Sequence, residues 1–297
     1  MNQYKIGFKI SEGCSYLKWD TDQICRHLHS LGYTAVEWIT ESLNPYEMSL
    51  NEIKNVIKTS EDHGLEVSEI VVQRDLVSLN EEERKRNIQY VLKCIETYAE
   101  AGVKVINLFT GPRPWIENPV ITGRDLSEGD AWNMVFEAYD QFVLAAERYG
   151  IKLAVEGVWG HLCHDFFTTQ FLVNHYNSSA LGVNYDPSHD ILCGNMDVAW
   201  AIRMWGKDRI KHVHLKDAVG WYLKDMAGNM KDGRFVFPLL GEGKVEWQAF
   251  IYALNEIGYD GAMVVEFESF DYLRNILGGS MQKAAEISMD NVRTLFG

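Results

Sequence analysis

The chain has 297 residues and a formal net charge of −14, with 46% hydrophobic and 24% charged residues. This composition is typical of a soluble globular protein. The acidic charge argues against partners such as nucleic acid or an anionic membrane, because both would repel the chain. No apolar stretch approaches the roughly 20 residues that span a bilayer, and the N-terminus lacks the apolar core of a secretory signal.

The cysteines form no CxxC pair and are odd in number: Cys14, Cys25, Cys94, Cys163 and Cys193. This pattern predicts reduced thiols and a cytoplasmic protein rather than a disulfide framework.

Eight short apolar runs recur along the chain and are rich in β-branched and aromatic residues. They are Ile6–Ile10, Ala35–Trp38, Val67–Val72, Val103–Phe109, Lys152–Glu156, Leu181–Asp186, Ile210–Leu215 and Ala262–Phe267. Their length and composition predict strands that are buried on both faces.

Longer amphipathic stretches alternate with these runs and predict helices. They are Asp20–Leu31, Leu50–His63, Asn80–Ala101, Asp130–Tyr149, Phe166–Tyr176, Val198–Trp205, Glu246–Ile257 and Gln282–Leu295. Glycines that end helices precede five of the predicted strands, at Gly32, Gly64, Gly102, Gly150 and Gly258. Such glycines are a common C-terminal signal of helices.

Eight strand–helix units in series favour an α/β fold, a single-domain (β/α)8 TIM barrel over residues 1–297. The alternative is a doubly wound open sheet. Neither GxGxxG nor GxxxxGK[ST] follows the first predicted strand, which weakens the nucleotide-binding form of that alternative. The longest connection, Asp217–Val245, is long enough to suggest a functional loop.

Polar residues stand where four successive predicted strands end: Glu156, Asp186, His214 and Glu266. A single acidic residue there more often caps a helix or forms an ion pair, but the C-terminal ends of barrel strands meet at one rim. Three carboxylates brought together repel one another, and a divalent cation removes that problem. Oxygen ligands with one imidazole suit Mn²⁺, Mg²⁺ or Co²⁺, and also Zn²⁺. His212 lies two residues before His214, so both side chains would point to the same side of the strand. It is either a second inward-facing group of the site or a core histidine.

Five segments, EGVWG, NYDPSH, HVHLKD, LGEGKVEW and VVEFES, occur in this order in the chain. They resemble the xylose-isomerase-like barrels, which include sugar-phosphate isomerases and epimerases, ketose 3-epimerases, inosose dehydratase and endonuclease IV. The resemblance implies that Glu156, Asp186, His214 and Glu266 bind one Mn²⁺-type ion. It also implies that His189 contacts substrate and that Glu37 lies beside it.

The resemblance implies an isomerase or epimerase that moves a proton next to the carbonyl of a sugar or sugar phosphate. Glu156 and Glu266 would be the acid and base, and an enediolate would be stabilised by the ion. Lys216 either holds a substrate oxygen with His189 or pairs with Asp217 or Glu156. Homo-oligomers are common in the family, so a homo-oligomer is an open alternative.

Aromatic residues just after predicted strands are expected to line the sugar pocket. They are Trp38, Trp115, Trp159 and Trp221, and His161 is expected to reach the same pocket. Aromatic faces pack on the C–H side of sugars, although packing at the barrel rim would explain the same residues.

One departure limits the substrate assignment. Ketose 3-epimerases carry an arginine six residues after the metal-binding histidine, where this chain has Gly220. The HLKDA segment is more similar to the inosose-dehydratase branch, so a lyase is the alternative function. A non-catalytic sugar-binding barrel and an endonuclease-IV-like enzyme are weaker alternatives, and the acidic charge disfavours the latter.

Overall fold

The computed structural model describes residues 4–11, 15–194, 197–221 and 234–297. Its parallel barrel strands are β1 (Lys5–Lys9), β2 (Ala35–Ile39), β3 (Glu66–Val72), β4 (Val105–Leu108), β5 (Lys152–Glu156), β6 (Leu181–Tyr185), β7 (Ile210–Leu215) and β10 (Ala262–Val265). Between β7 and β10, the strands β8 (Val219–Trp221) and β9 (Arg234–Val236) form a separate antiparallel pair. The barrel closes in the order β1-β10-β7-β6-β5-β4-β3-β2. The predicted α/β barrel is confirmed, whereas the domain bounds 1–297 stay a prediction.

The helices cover the outside of the barrel. They are α1 (Thr21–Leu31), α2 (Leu50–Asp62), α3 (Glu81–Ala101), α4 (Glu128–Tyr149), α5 (Phe166–Tyr176), α6 (Pro187–Leu192), α7 (Val198–Trp205), α8 (Trp247–Glu256), α9 (Phe270–Asn275) and α10 (Met281–Phe296), with a 3₁₀ turn at Ser15–Lys18. The predicted helices and barrel strands lie within two residues of these bounds. Two short helices, α6 and α9, and the β8–β9 pair were not predicted.

Side-chain caps explain where several helices begin. The side chains of Asp20 and Ser49 each accept a hydrogen bond from a backbone amide of the first helical turn. The side chains of Gln23 and Glu52 in turn accept a hydrogen bond from the backbone amide of the cap residue. These reciprocal bonds satisfy two amide groups that a helix start leaves without partners. No helix in the described ranges combines the length and the apolar character needed to cross a bilayer. Described cysteines are free thiols, and Cys14 lies outside the described residues.

The barrel interior changes character along its axis. Small apolar side chains fill the N-terminal end, where Ala35, Ala262 and Val264 form a buried cluster. A Cβ atom on Gly7 would lie 2.7 Å from Val264 Cγ2, so only glycine fits there. Polar residues follow toward the C-terminal end, including the buried side chain of Asn184. The N-terminal end of the barrel is thus a packed apolar core, and the polar residues lie at the C-terminal end, where barrel enzymes place their active sites.

Candidate functional site

The four polar residues predicted at the strand ends lie together. Glu156 ends β5, Asp186 follows β6, His214 is in β7, and Glu266 follows β10. All are buried, and one ligand atom from each lies within 4.8 Å of the others. His214 Nδ1 is 3.3 Å from Glu156 Oε1, 3.4 Å from Glu266 Oε2 and 3.9 Å from Asp186 Oδ2. Three carboxylates therefore surround one imidazole nitrogen.

His212 lies deeper in the barrel than this cluster. Its Nε2 is 3.1 Å from Ser68 Oγ, and its Nδ1 is 3.1 Å from Asn184 Oδ1 and 3.2 Å from Glu69 Oε1. The structure thus places His214, and not His212, among the carboxylates of the strand ends.

Two buried lysines flank Glu266. The Lys216 ammonium pairs with one carboxylate oxygen and the Lys9 ammonium with the other. Burial alone would raise the pKa of Glu266, but Lys216, Lys9 and His214 hold that pKa well below its usual value. Glu266 is therefore ionised at neutral pH.

Lys216 lies in the cavity lining among several carboxylates and beside His189. Its Nζ is 3.0 Å from Asp186 Oδ2, 3.1 Å from Glu268 Oε2 and 3.3 Å from His189 Nε2. Asp217, which was one expected partner, turns instead to the backbone of the following loop. The ammonium lies on the rim among the carboxylates and next to His189.

Glu156 and His214 each stabilise the charged form of the other. Burial would raise the pKa of Glu156, but contact with His214 and a hydrogen bond from His189 hold it well below its usual value. Burial would lower the pKa of His214, but the carboxylates of Glu37, Glu266 and Glu156 hold it well above its usual value. The Asn107 amide also donates to Glu156 Oε2 at 3.0 Å, which fixes the carboxylate orientation.

The donor set fits a divalent cation. Three carboxylates and one imidazole nitrogen are the ligand types that Mn²⁺, Mg²⁺, Co²⁺ and Zn²⁺ accept. Asp186 Oδ2 is buried and receives no hydrogen bond within the described ranges, although the Lys216 ammonium lies 3.0 Å away. A divalent cation between the four groups would contact this oxygen and offset the repulsion among the three carboxylates.

A cavity of about 420 Å³ opens above the cluster, which is within the range of small-molecule sites. Glu156, Glu266, His189 and Lys216 face it from the barrel. Its apolar wall combines the aliphatic residues Ile39, Val71 and Val158 with five aromatic residues, Phe109, Trp115, Trp159, Phe237 and Phe270. Of the four predicted tryptophans, two therefore lie in the wall.

Neighbouring residues of β2 face opposite sides of the barrel. Glu37 points inward and is fully buried, with Oε2 at 2.9 Å from His214 Nε2, below the residues that line the cavity. Trp38 points outward, and its indole nitrogen donates to Ser60 Oγ of α2 at 3.2 Å. Neither side chain lines the cavity: strand alternation turns Trp38 away from the barrel interior, and Glu37 lies below His214. Their roles at the substrate stay predictions.

Two other predicted residues also lie outside the cavity lining. His161 is buried behind Trp115, with the rings stacked at a centroid distance of 5.2 Å. It therefore supports the aromatic wall from behind. Trp221 ends β8 with 49% of its surface exposed. It lies in the β8–β9 pair rather than directly at a barrel-strand end.

Sequence reasoning missed Lys9, Glu41, Gln73 and Glu268, all of which line the cavity. Lys9 carried a signal, because it is a charged residue within an apolar run at the C-terminal end of β1. Glu41 and Gln73 lie two residues and one residue beyond their strands, where polar residues are ordinary in loops. Only the closed barrel shows that they share one cavity.

The long connection after β7 contributes one wall of the cavity through Phe237. Its residues 222–233 lie outside the described residues. The return of this connection is held by Asp217, which accepts hydrogen bonds from the backbone amides of Gly241, Gly243 and Val245. These hydrogen bonds fix the path by which the connection returns to the barrel.

Residues 25–294 match the family model described as xylose isomerase-like TIM barrel. An inosose dehydratase of Clostridium perfringens is 21% identical over 169 residues, which cover 54% of this chain and 56% of that protein. The chain thus spans about half the length of this curated relative.

Solved structures show the same fold over nearly the whole chain. The IOLI protein with a bound zinc atom has a TM-score of 0.73 at 18% identity, covering 98% of this chain and 97% of that one. D-psicose 3-epimerase in the presence of D-fructose has a TM-score of 0.73 at 18% identity, covering 99% of both chains. Because the family model spans most of the residues and the closed barrel agrees with it, the chain belongs to the xylose isomerase-like TIM barrel family.

Proposed function

We propose that this protein is a divalent-metal-dependent sugar isomerase or epimerase that moves a proton next to a carbonyl. The observation that carries the proposal is the placement of Glu156 and Glu266. Both carboxylates line one cavity, and both lie within 3.4 Å of His214 Nδ1. Their strands, β5 and β10, stand on either side of β7 in the barrel order. A carboxylate that faces the cavity can remove a proton and, once protonated, can return one.

Glu156, Asp186, His214 and Glu266 would hold the cation. A bound divalent cation supplies Lewis acidity that polarises a carbonyl group and offsets negative charge developing on its oxygen. The zinc atom in the similar IOLI structure supports a divalent cation here. Mn²⁺ is our first choice for an oxygen-rich set, with Mg²⁺, Co²⁺ and Zn²⁺ as alternatives.

The protein groups would carry out the proton transfer. Glu156 or Glu266, as a carboxylate, accepts the proton from the carbon next to the carbonyl. A proton then returns to the same or the adjacent carbon, either from the carboxylic acid just formed or from the other carboxyl after it has taken a proton from solvent. His189 and Lys216 line the cavity beside them and can hold substrate oxygens by hydrogen bonds. The aromatic wall would pack against C–H groups of the substrate.

The charges of the cavity favour a neutral sugar over a sugar phosphate. Within the described ranges, the cationic side chains that line the cavity are Lys9 and Lys216. Both are paired with carboxylates, Lys9 with Glu266 and Lys216 with Asp186, Glu266 and Glu268. Recognition of a phosphate dianion usually requires cations that are available to it. We therefore propose an uncharged ketose or polyol-derived ketone as substrate.

Solvent deuterium incorporation tests this function. The Mn²⁺-loaded protein is expected to introduce deuterium from D₂O at the carbon next to the carbonyl of at least one sugar in a panel of ketoses and inososes. Mass spectrometry and proton NMR would measure the exchange, with chelator-treated protein as the control. Absence of exchange on the whole panel, with cation shown to be bound, would contradict the proposal.

An inosose-type dehydratase is the second candidate. The similarity to the inosose dehydratase of Clostridium perfringens favours it. The same carboxylates would remove the proton, and a neighbouring hydroxyl would then leave as water. The product would be lighter than the substrate by one water molecule, which mass spectrometry separates from an isomer of unchanged mass.

Cation affinity is expected to rise with pH, approaching tenfold per pH unit while His214 is protonated. The pKa of His214 is held well above its usual value in the absence of a cation. A cation that takes the Nδ1 lone pair must therefore displace a proton, and at lower pH that proton competes more strongly. Competition of Mn²⁺ between the protein and a chelator of known affinity, measured between about pH 6 and 8, would show this slope. An affinity that does not change with pH would argue against His214 as a ligand.

A further inference from the structure

We propose that Glu37 is a positioning residue that orients His214 toward the cation. This inference rests on the proposed cation site and assigns a role to a residue that does not line the cavity. Glu37 is fully buried, and its Oε2 is 2.9 Å from His214 Nε2. We define Glu37, Glu69 and His212 as the inner set, because they lie below His214 in the barrel.

The two nitrogens of His214 face different groups. Nδ1 faces the carboxylates of Glu156 and Glu266, at 3.3 and 3.4 Å, whereas Nε2 faces Glu37. A neutral imidazole that gives its Nδ1 lone pair to a cation carries its proton on Nε2. A buried N–H group needs an acceptor, and carboxylates commonly fill this role behind metal-bound histidines. Glu37 provides that acceptor and thereby selects the Nδ1-binding tautomer.

The inner set has a rival explanation as a second cation site. Together with His214, its members bring four ligand atoms within 4.8 Å of one another. Both imidazoles already have protein partners there, however. His212 Nδ1 lies between two acceptors, Asn184 Oδ1 at 3.1 Å and Glu69 Oε1 at 3.2 Å, and its Nε2 is 3.1 Å from the Ser68 hydroxyl. His214 Nε2 is 2.9 Å from Glu37 Oε2 but 3.7 Å from Glu69 Oε1. These contacts favour a supporting role for Glu37 over a second ion.

Two substitutions of Glu37 and one matched control test the inference. Glu37→Leu removes the acceptor, whereas Glu37→Gln keeps an acceptor oxygen and removes the charge. Glu69→Gln is the control, because Glu69 is equally buried and pairs with Glu37 across β2 and β3 but is 3.7 Å from His214 Nε2. Circular dichroism and thermal unfolding would establish that each variant is folded.

Competition with a chelator would measure Mn²⁺ affinity and the number of ions bound per chain. We expect one ion per chain in the parent protein. The affinity should be about 10- to 100-fold weaker in Glu37→Leu, as for other partners of metal-bound histidines. The loss should be smaller in Glu37→Gln, and the affinity of Glu69→Gln should be unchanged. In the Co²⁺-loaded protein, the proton on His214 Nε2 gives a hyperfine-shifted NMR signal. That signal should exchange slowly with D₂O in the parent protein and rapidly in Glu37→Leu, which a merely structural role would not produce.

Several results would overturn the inference. Unchanged affinity and unchanged proton exchange in both Glu37 variants would do so. If Glu37→Leu does not fold, the same result in Glu37→Gln alone would do so. Equal losses in the Glu37 and Glu69 variants, or two ions per chain, would instead identify the inner set as a cation site. If the parent protein binds no Mn²⁺ or Co²⁺, the proposed function fails together with this inference. If the parent binds one ion and exchanges substrate hydrogen, only the role of Glu37 is at stake.

Discussion

Replacing Glu266 with glutamine is expected to lower the rate of substrate hydrogen exchange by roughly 100- to 10,000-fold, the usual contribution of a general acid or base. The amide cannot accept a proton at neutral pH, and the substitution also removes one negative charge from the four-residue cluster. Glu156→Gln should have an effect of the same order, because the two carboxylates face the same cavity. The measurement is deuterium incorporation at saturating Mn²⁺, so that weaker cation binding does not limit the rate.

Glu268→Gln is the matched control for this prediction. Glu268 lies two residues after Glu266, lines the same cavity and contacts the same lysine, at 3.1 Å from Lys216 Nζ. It does not belong to the cluster around His214. Its substitution should therefore reduce exchange far less than Glu266→Gln does. Equal effects at both positions would mean that the cavity charge matters and not a specific base. Retained ligand affinity with no turnover in the parent protein would favour a non-catalytic sugar-binding barrel.

Replacing Asp217 with alanine is expected to lower the free energy of unfolding by roughly 3 to 5 kcal/mol, since an orphaned buried donor costs about 1–3 kcal/mol. The Asp217 carboxylate is buried and accepts hydrogen bonds at 2.9 to 3.1 Å from the amides of Ala218, Gly241, Gly243 and Val245 and from the Trp247 indole. Water that enters the space left by the side chain would satisfy some of these donors, which keeps the loss below their full sum. Equilibrium denaturation in urea, read from the shift of the midpoint at unchanged slope, would measure it.

Glu242→Ala provides the comparison in the same loop. Glu242 is exposed and lies between the two glycines that donate to Asp217. Its substitution should change the free energy of unfolding by less than about 0.5 kcal/mol. A loss at Asp217 no larger than this would show that the loop return does not depend on the carboxylate. Gly243→Ala should resemble the Asp217 variant, because a Cβ atom at Gly243 would lie 1.9 Å from Asp217 Oδ1.

The sequence alone determined the barrel and the main cluster, for a shared physical reason. Buried parallel strands are short apolar runs, and the polar residue that ends such a run stands out against it. Once eight strand–helix units predict a closed barrel, all strand ends must meet at one rim. The proximity of Glu156, Asp186, His214 and Glu266 follows from topology and needs no knowledge of side-chain contacts.

Only the tertiary structure decided which nearby residues share the cavity. Trp38 and Glu37 are neighbours in sequence, but strand alternation sends one to α2 and the other beneath His214. Lys9 lies 257 residues before Glu266 in the sequence, and only closure of β1 against β10 brings their side chains together.

The partners of Lys216 also depended on the fold, because a long flexible side chain reaches several acceptors at one rim. Asp217 was one candidate partner from the sequence, but the loop amides occupy that carboxylate, and the lysine turns to Asp186, Glu266 and Glu268. Strand ends are thus set by local patterns that a sequence carries. Pairings across the barrel depend on competition among groups that are distant in sequence, which only the closed structure resolves.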